Sequence, residues 1–575
     1  MMEKGHAVSK GIGIGKVLIY QQFVPQVEPS NIDASLVEQT FQAYHQIKAK
    51  ANTEIEQIVQ LLVSKKDEKH KIFEAHLEII NDVAMEETIE NFIKVDHYGH
   101  IYAMDEAYKM FIEMLETVED DLIRERIADL KDVRNRLLRI AYHVPEKNLS
   151  RLFEKTIVVA LDLYPSDTAT LDRNMVEAIV TEVGGPTSHT AIIAKSYQIP
   201  AILGVKDAMQ TYNDGDTLIV DALSNELILN PTDAVMQSYI ERKQRHTEQQ
   251  NILKTYLDKA PITKDGFRVD VTLNIGSASK EEIALEPYVD GVGLFRSEFL
   301  YMENTHLPTE DEQFEVYKRA LIGFKGKPVI LRTLDIGGDK TLSYMALPKE
   351  ENPFLGLRAV RLCFAHLDIF KTQLKAAYRA SVHGNLWLMF PMVGSMDDIH
   401  KIKLVIEEVK ADLDAQNIPY SKDVKIGVMI EIPSIILVID HVAKAVDFAS
   451  IGTNDLCQYL TAVDRMNPLV SSYYQSYSPS MIRILKMAIE GFNAAGKPIS
   501  VCGELGGDLI AAPILMGLGM KKLSMSKSSL APIKHLIVHH TMDTFKTLAQ
   551  KAVTLETEKE VIELVQKTLQ EALHD

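Results

Sequence analysis

From residue 261 onward the sequence alternates short apolar runs with helical stretches, and that alternation limits the possible folds more than any other feature. Candidate strands fall at 268–275, 291–297, 328–335, 386–393, 425–432, 448–454, 498–504 and 522–526. Runs this apolar belong to strands covered on both faces, as in parallel sheets flanked by helices. Eight strand–helix units within residues 261–575 predict a (β/α)8 TIM barrel. An open doubly wound sheet is the other arrangement such a pattern allows.

Polar groups sit where these runs end. The second ends in Arg296-Ser297-Glu298, the third in Arg332-Thr333-Leu334-Asp335, and the fifth in Glu431-Ile432-Pro433. The sixth ends in Asn454-Asp455 and the seventh in Cys502-Gly503-Glu504. In a barrel those ends converge on one mouth, where chemistry is built. Charges in such places are costly unless paired, so they imply either structural Arg–carboxylate pairs or a ligand. The residue types favour a ligand. Arg296, Arg332, Arg358 and Arg465 offer planar forks for phosphate and carboxylate oxygens. Glu431 and Asp455 are hard carboxylates of the kind that hold Mg²⁺. A small trianion such as phosphoenolpyruvate would satisfy both sets. Cys502, taken alone, would be a small core hydrophobe. At a strand end beside Gly503-Glu504, its thiol is instead a candidate acid.

The first half is built differently. Residues 5–20 read as a turn and a strand, and Gly-Ile-Gly-Ile-Gly within them has neither dinucleotide-fingerprint nor Walker A spacing. Residues 35–144 are helical almost throughout, with apolar residues recurring at three and four, as in Ile55, Ile58, Leu61 and Leu62, then Phe73, Leu77 and Ile80. The apolar side is core, and only the polar face is left for docking. Residues 155–230 return to α/β, with runs at Thr156–Leu161, Ala178–Val183, Ala201–Leu203 and Thr217–Asp221. Residues 231–260 are polar and helix-prone, a linker helix between two independently folded halves.

Within the α/β part, Gly184-Gly185-Pro186-Thr187-Ser188-His189 follows a strand-like run and leads into an apolar helical pattern. The Gly pair permits a sharp bend, and the hydroxyls can cap the helix. His189 then falls in the first turn, where free N–H groups and the positive dipole end favour an anion. A lone histidine there reads most simply as a capped core residue. The surrounding hydroxyls, the Gly pair and the charged sites downstream point instead to a phosphorylated nucleophile.

The net charge of −18 argues against a nucleic-acid or anionic-membrane surface. Cys363, Cys457 and Cys502 are far apart and odd in number, which predicts no disulfide framework and a cytoplasmic setting. The sequence shows no signal-peptide pattern at Met1–Lys16 and no run long enough for membrane insertion.

Several of these segments carry a family resemblance. Gly184-Gly185-Pro186-Thr187-Ser188-His189-Thr190-Ala191-Ile192-Ile193-Ala194 resembles the phosphohistidine motif of enzyme I of the bacterial phosphoenolpyruvate-dependent sugar phosphotransferase system. Similar to that family too are Leu331-Arg332-Thr333-Leu334-Asp335-Ile336-Gly337-Gly338-Asp339-Lys340, Gly427 to Pro433, Ile451-Gly452-Thr453-Asn454-Asp455-Leu456, Ala462-Val463-Asp464-Arg465 and Val501-Cys502-Gly503-Glu504. The resemblance spans essentially the whole chain. It departs at Pro186, where the family usually has a basic residue, and at Cys457, where related chains often carry Thr.

The resemblance implies a multidomain α/β protein. A swivelling phosphohistidine domain would occupy 1–22 and 146–230, with an inserted helical bundle at 23–145 that docks the phosphocarrier protein HPr. After the linker helix at 231–260, residues 261–575 would form the barrel that binds phosphoenolpyruvate and makes the homodimer. By the same resemblance, His189 is the nucleophile, and Glu431 and Asp455 hold Mg²⁺. Arg296, Arg332, Asn454 and Arg465 bind phosphoenolpyruvate with Arg358 among them, and Cys502 protonates the enolate. Thr168, in a segment resembling the one that faces the active histidine, fixes the imidazole or caps a helix, and Lys340 is a supporting residue. The activity implied is transfer of the phosphoryl group from phosphoenolpyruvate to His189 and on to HPr, the first step of sugar uptake. Pyruvate phosphate dikinase and phosphoenolpyruvate synthase have similar motifs but need an ATP-grasp domain ahead of the histidine. A metal-dependent carbon–carbon lyase on the barrel is the alternative from another class.

Overall fold

A computed structural model describes the chain except residues 1–4, 21–25, 65–69, 117–120, 145–148, 150–151, 153, 164–166, 168–170, 186–187, 303, 305, 339–341, 343, 346–349 and 572–575. It divides into two units, Met1–Gln249 and Gln250–Asp575.

In the first unit the glycine-punctuated start forms β1 (His6–Ser9) and β2 (Ile12–Tyr20). β2 pairs in parallel with β3 (Thr156–Ala160), so the chain leaves the sheet after Tyr20 and returns beside the same strand. Then come β4 (Val176–Thr181), β5 (Ala201–Leu203), β6 (Thr217–Asp221) and β7 (Glu226–Leu229). The order across the sheet is β1-β5-β4-β3-β2-β6-β7. β3 is buried along its whole length because both faces are covered. Val158 and Ile179 pack on one side with Ala191 and Ala194 of the helix after β4; Ile157, Val159 and Val180 pack on the other. β7, which the sequence reading did not anticipate, is a half-exposed edge strand hydrogen-bonded antiparallel to β6.

The excursion between β2 and β3 contains five described helices: Val37–Ser64, His70–Ile80, Val83–Lys94, His100–Glu116 and Asp121–Ala141. Their apolar stripes bury a core of their own, with Ile55, Phe73, Ile89, Tyr108 and Val133 at its centre. The polar helix Asp233–Lys254 buries none of its side chains. Charge holds it to the sheet instead: Arg242 reaches Asp221 Oδ2 at 2.7 Å, and Lys243 pairs with Glu177.

The second unit contains β8 (Asp270–Ile275), β9 (Val292–Arg296), β10 (Val329–Arg332), β11 (Leu386–Phe390), β12 (Lys425–Ile430), β13 (Phe448–Ile451), β14 (Ile499–Val501) and β15 (Lys522–Met525). They form a closed barrel, with β15 returning to β8 in a parallel register that sets Lys522 opposite Asp270. Closure excludes the open doubly wound sheet. Leu294, Ile330, Met389, Met429, Phe448 and Cys502 fill an inner layer, while the helices pack outside. The strands are shorter than the apolar runs suggested. β10 stops at Arg332, leaving Thr333 to Asp335 in a loop. β13 stops at Ile451, so Asn454 and Asp455 belong to the first turn of the helix Thr453–Thr461.

Candidate active site at the barrel mouth

The ends of β9, β10, β12, β13 and β14 and the segments that follow them enclose a cavity of about 520 Å³. Arg296, Arg332, Arg358, Glu431, Asn454, Asp455, Arg465 and Cys502 all line it. The residues singled out from the sequence in this half therefore meet at one place, apart from Lys340, which lies outside the described residues. Thr168 and Pro186 also lie outside them.

The charges interlock. Arg332 is buried and pairs with Glu298 and, at 2.9 Å, with Asp335 Oδ2. The other oxygen of Asp335 takes Arg358 Nη2 at 2.9 Å. Arg358 is only 1% exposed, and its Nη1 donates to Asp455 Oδ1 at 3.3 Å and to the Tyr459 hydroxyl at 3.2 Å. Arg465 Nη1 lies 3.7 Å from the same Asp455 oxygen. Arg296, by contrast, has no ion-pair partner among the described residues, although it ends β9 at the cavity wall. Arg358 thus directs its hydrogen bonds to the carboxylates, while Arg296 lines the cavity without an ion pair among the described residues.

Glu431 is buried and half satisfied. The Met392 N–H donates to its Oε1 at 2.6 Å, from a backbone held at φ +58°, a conformation that costs a non-glycine residue energy. Its Oε2 has no hydrogen-bond partner. Burial first, then the neighbouring Asp455 and Asp335, push the Glu431 carboxyl well above the usual carboxylate range, with Arg358 and Arg332 pulling it back. An orphaned carboxylate oxygen beside a second carboxylate is what a hard divalent cation would satisfy, so the donor set fits Mg²⁺. Gly452 makes room for it: a Cβ there would lie 2.7 Å from Glu431 Oε2 and 2.9 Å from Met429 Sδ.

Cys502 follows β14 at the floor of the cavity, 2% exposed, its Sγ 3.6 Å from the Ile451 carbonyl oxygen. Burial raises the thiol to about 11, against the opposing pull of Ser450, Arg332 and Arg296. Asn274 donates to the Cys502 carbonyl at 3.1 Å. Asn454 and Glu504 clasp each other through two 3.3 Å hydrogen bonds across the rim. Tyr459, Met392 and Asn274 escaped the sequence reading. Tyr459 lies one helical turn after Asp455, a spacing that could have suggested it; the other two depend on tertiary placement alone.

In the first unit, His189 opens a nine-residue helix, His189–Tyr197. Ser188 caps it, its hydroxyl accepting the Ala191 N–H at 3.2 Å. Gly184 turns at φ +108°, and a Cβ there would press within 3.2 Å of the capping oxygen. Thr190 is buried and donates to Asp162 Oδ1 at 3.1 Å, which sets the loop after β3 beside the start of the histidine helix.

Sequence comparison places these features in a known context. Residues 4–126 match the PEP-utilising enzyme N-terminal family, 152–225 the PEP-utilising enzyme mobile domain, and 250–542 the PEP-utilising enzyme PEP-binding domain. The phosphoenolpyruvate-protein phosphotransferase of Listeria monocytogenes is 41% identical over 98% of both chains. Those of Geobacillus stearothermophilus and Bacillus subtilis are each 40% identical over 98% of this chain, and over 97% and 99% of their own. The chain belongs to the phosphoenolpyruvate-protein phosphotransferase family, enzyme I of the phosphotransferase system.

Proposed function

We propose that the protein takes the phosphoryl group of phosphoenolpyruvate onto His189, releases pyruvate, and passes the group to a histidine of the phosphocarrier protein HPr. The observation that carries this reading is the barrel mouth: an orphaned, buried Glu431 carboxylate beside Asp455, ringed by arginines, around a cavity of about 520 Å³. Mg²⁺ held by Glu431 and Asp455 would supply charge neutralisation at the substrate's oxygens.

The chain's own groups do the rest. Arg296 and Arg332 orient the trianion and offset its charge, Arg465 and the Asn454 amide complete its contacts, and Arg358 keeps Asp455 and Asp335 in place. The imidazole of His189 attacks phosphorus in line, and the bond to the enolate oxygen breaks. The helix start of the histidine domain offers N–H groups to the phosphorylated product. The Cys502 thiol, kept protonated by burial, gives its proton to the enolate methylene carbon, and pyruvate leaves. Phospho-His189 then meets HPr on the helical bundle, so the histidine domain must swing between two partners. Residues 1–22 with 146–230, 23–145, 231–260 and 261–575 are the corresponding domains, and the barrel half makes a homodimer in the cytoplasm. Among the described residues no helix is long and apolar enough to cross a membrane.

Intact-mass and peptide spectrometry after incubation with phosphoenolpyruvate and Mg²⁺ tests the reading. One phosphoryl group on His189, absent when Mg²⁺ is chelated, is expected. Pyruvate release with no label on His189 would replace it with lyase-type chemistry.

A further inference from the structure

We propose that His45, Glu86 and Glu90 form a transition-metal site that takes Zn²⁺ and staples two helices of the bundle together. His45 lies on the helix Val37–Ser64, and Glu86 and Glu90 lie one turn apart on the helix Val83–Lys94. One ligand atom from each of the three sits within 4.8 Å of the other two. The three side chains are half-buried where the helices meet, remote in sequence from the motifs of the histidine helix and the barrel.

His45 lies close to both carboxylates without bonding to either: among the described residues no hydrogen bond or ion pair joins them. In a tetrahedral zinc centre the ligand atoms stand about 3.4 Å apart, because each is about 2.1 Å from the ion, so the three side chains would draw together around it. Aromatic packing fixes the His45 ring: Phe41 meets it edge-on with centroids 4.4 Å apart, and Tyr44 lies 5.1 Å away. An imidazole aimed by packing alone keeps a ring nitrogen available.

Two lysines compete for the same carboxylates. Lys48 Nζ lies 2.9 Å from Glu86 Oε1, and Lys94 Nζ 2.9 Å from Glu90 Oε2. Each takes one oxygen and leaves the other, so the lysines lower affinity without closing the site. The imidazole selects Zn²⁺ over Mg²⁺, which takes oxygen ligands and keeps its water. One histidine and two carboxylates leave a fourth position for water.

The test is calorimetric titration of Zn²⁺ into full-length, chelator-stripped protein with Mg²⁺ in excess, so that the oxygen-lined barrel site is already filled. Wild type should bind one equivalent that His45→Gln and Glu90→Gln each weaken by at least about tenfold, the scale on which even outer-shell changes act. Lys48→Met should bind Zn²⁺ more tightly, because it removes a competing cation. Zn²⁺ should also raise the melting temperature of wild type and not of His45→Gln, since it binds only the folded helices. Binding that survives unchanged in both His45→Gln and Glu90→Gln, or a wild type with no such equivalent, would overturn the proposal.

Discussion

The start of the His189 helix and the mouth of the barrel both serve one phosphoryl group in the proposed function, and their described residues are arranged differently. Around His189 the described polar contacts are local: a Ser188 cap, a glycine bend, and Thr190 reaching across to Asp162. At the barrel mouth, charge is buried and shared. Asp335 bridges two arginines, Arg358 bridges two aspartates, and Glu431 is fixed by a strained backbone N–H. A carrier must present its group to two different partners, so it gains from backbone donors that travel with their helix. A site that binds a trianion needs its counter-charges aimed beforehand, which a closed barrel can enforce.

Removing the carrier tests the division most severely. His189→Ala should cut phosphoryl transfer to HPr by at least roughly 10⁴-fold, the scale for loss of a nucleophile. The barrel should still bind phosphoenolpyruvate as wild type does, because no residue of its mouth has changed. Isothermal titration alongside a coupled pyruvate assay reads both, and lost binding would show that the two regions are not separate. Next in size, Glu431→Gln keeps the shape and removes the charge. It should lower transfer from phosphoenolpyruvate roughly 10²–10³-fold, as loss of a preorganised electrostatic group does. Exchange between phospho-His189 and HPr should be untouched. Full activity with reduced Mg²⁺ dependence would reject the role given to Glu431.

Much of this contrast was legible in the sequence, for physical reasons that differ by residue. The apolar runs gave the barrel because strands covered on both faces can hold little polar side chain, and the charges stood out where the runs ended. Strand ends were overshot for the same reason. Thr333, Leu334 and Asp335 look extended and buried, and they are buried, but after one bond from the Thr333 N–H to Met389 the chain leaves the ladder. β7 was missed because a half-exposed edge strand lacks an apolar signal. Arg358 lines the cavity, yet a guanidinium fork in sequence carries no sign of its depth. Only the fold shows that its hydrogen bonds go to Asp335, Asp455 and Tyr459. The Met392 N–H that holds Glu431 could not be foreseen, because a positive φ at methionine follows from packing and not from propensity.

Gly452 sharpens the comparison from inside the barrel. Its φ of −87° suits any residue, so only space forbids a side chain. Gly452→Ala would set a methyl 2.7 Å from Glu431 Oε2. The variant should lose about tenfold in transfer from phosphoenolpyruvate and about 1–3 kcal/mol of barrel stability, the usual cost of overpacking. Affinity for HPr should not change. Equal losses in both half-reactions would mean that the mouth and the carrier are coupled more tightly than their separate cores suggest.

The smallest effect is expected from pH, and it bears on Cys502. A free thiol titrates near about 8.5, but burial holds this one protonated up to about 11. The pyruvate-forming step should therefore show no descending limb from this thiol between about pH 8 and 9.5, where an ordinary cysteine acid would lose its proton. Stability follows the same sign. The folded value lies above the unfolded one, so the thiol's contribution is complete below about pH 8.5 and is lost as the pH rises toward 11, a loss on the order of 3 kcal/mol. Urea unfolding of wild type and Cys502→Ala across that range isolates it. Wild type should decline relative to the variant only at the alkaline end. A difference that stays flat to pH 11 would mean that the thiol titrates normally. The protonated donor at the barrel mouth would then have to be another group.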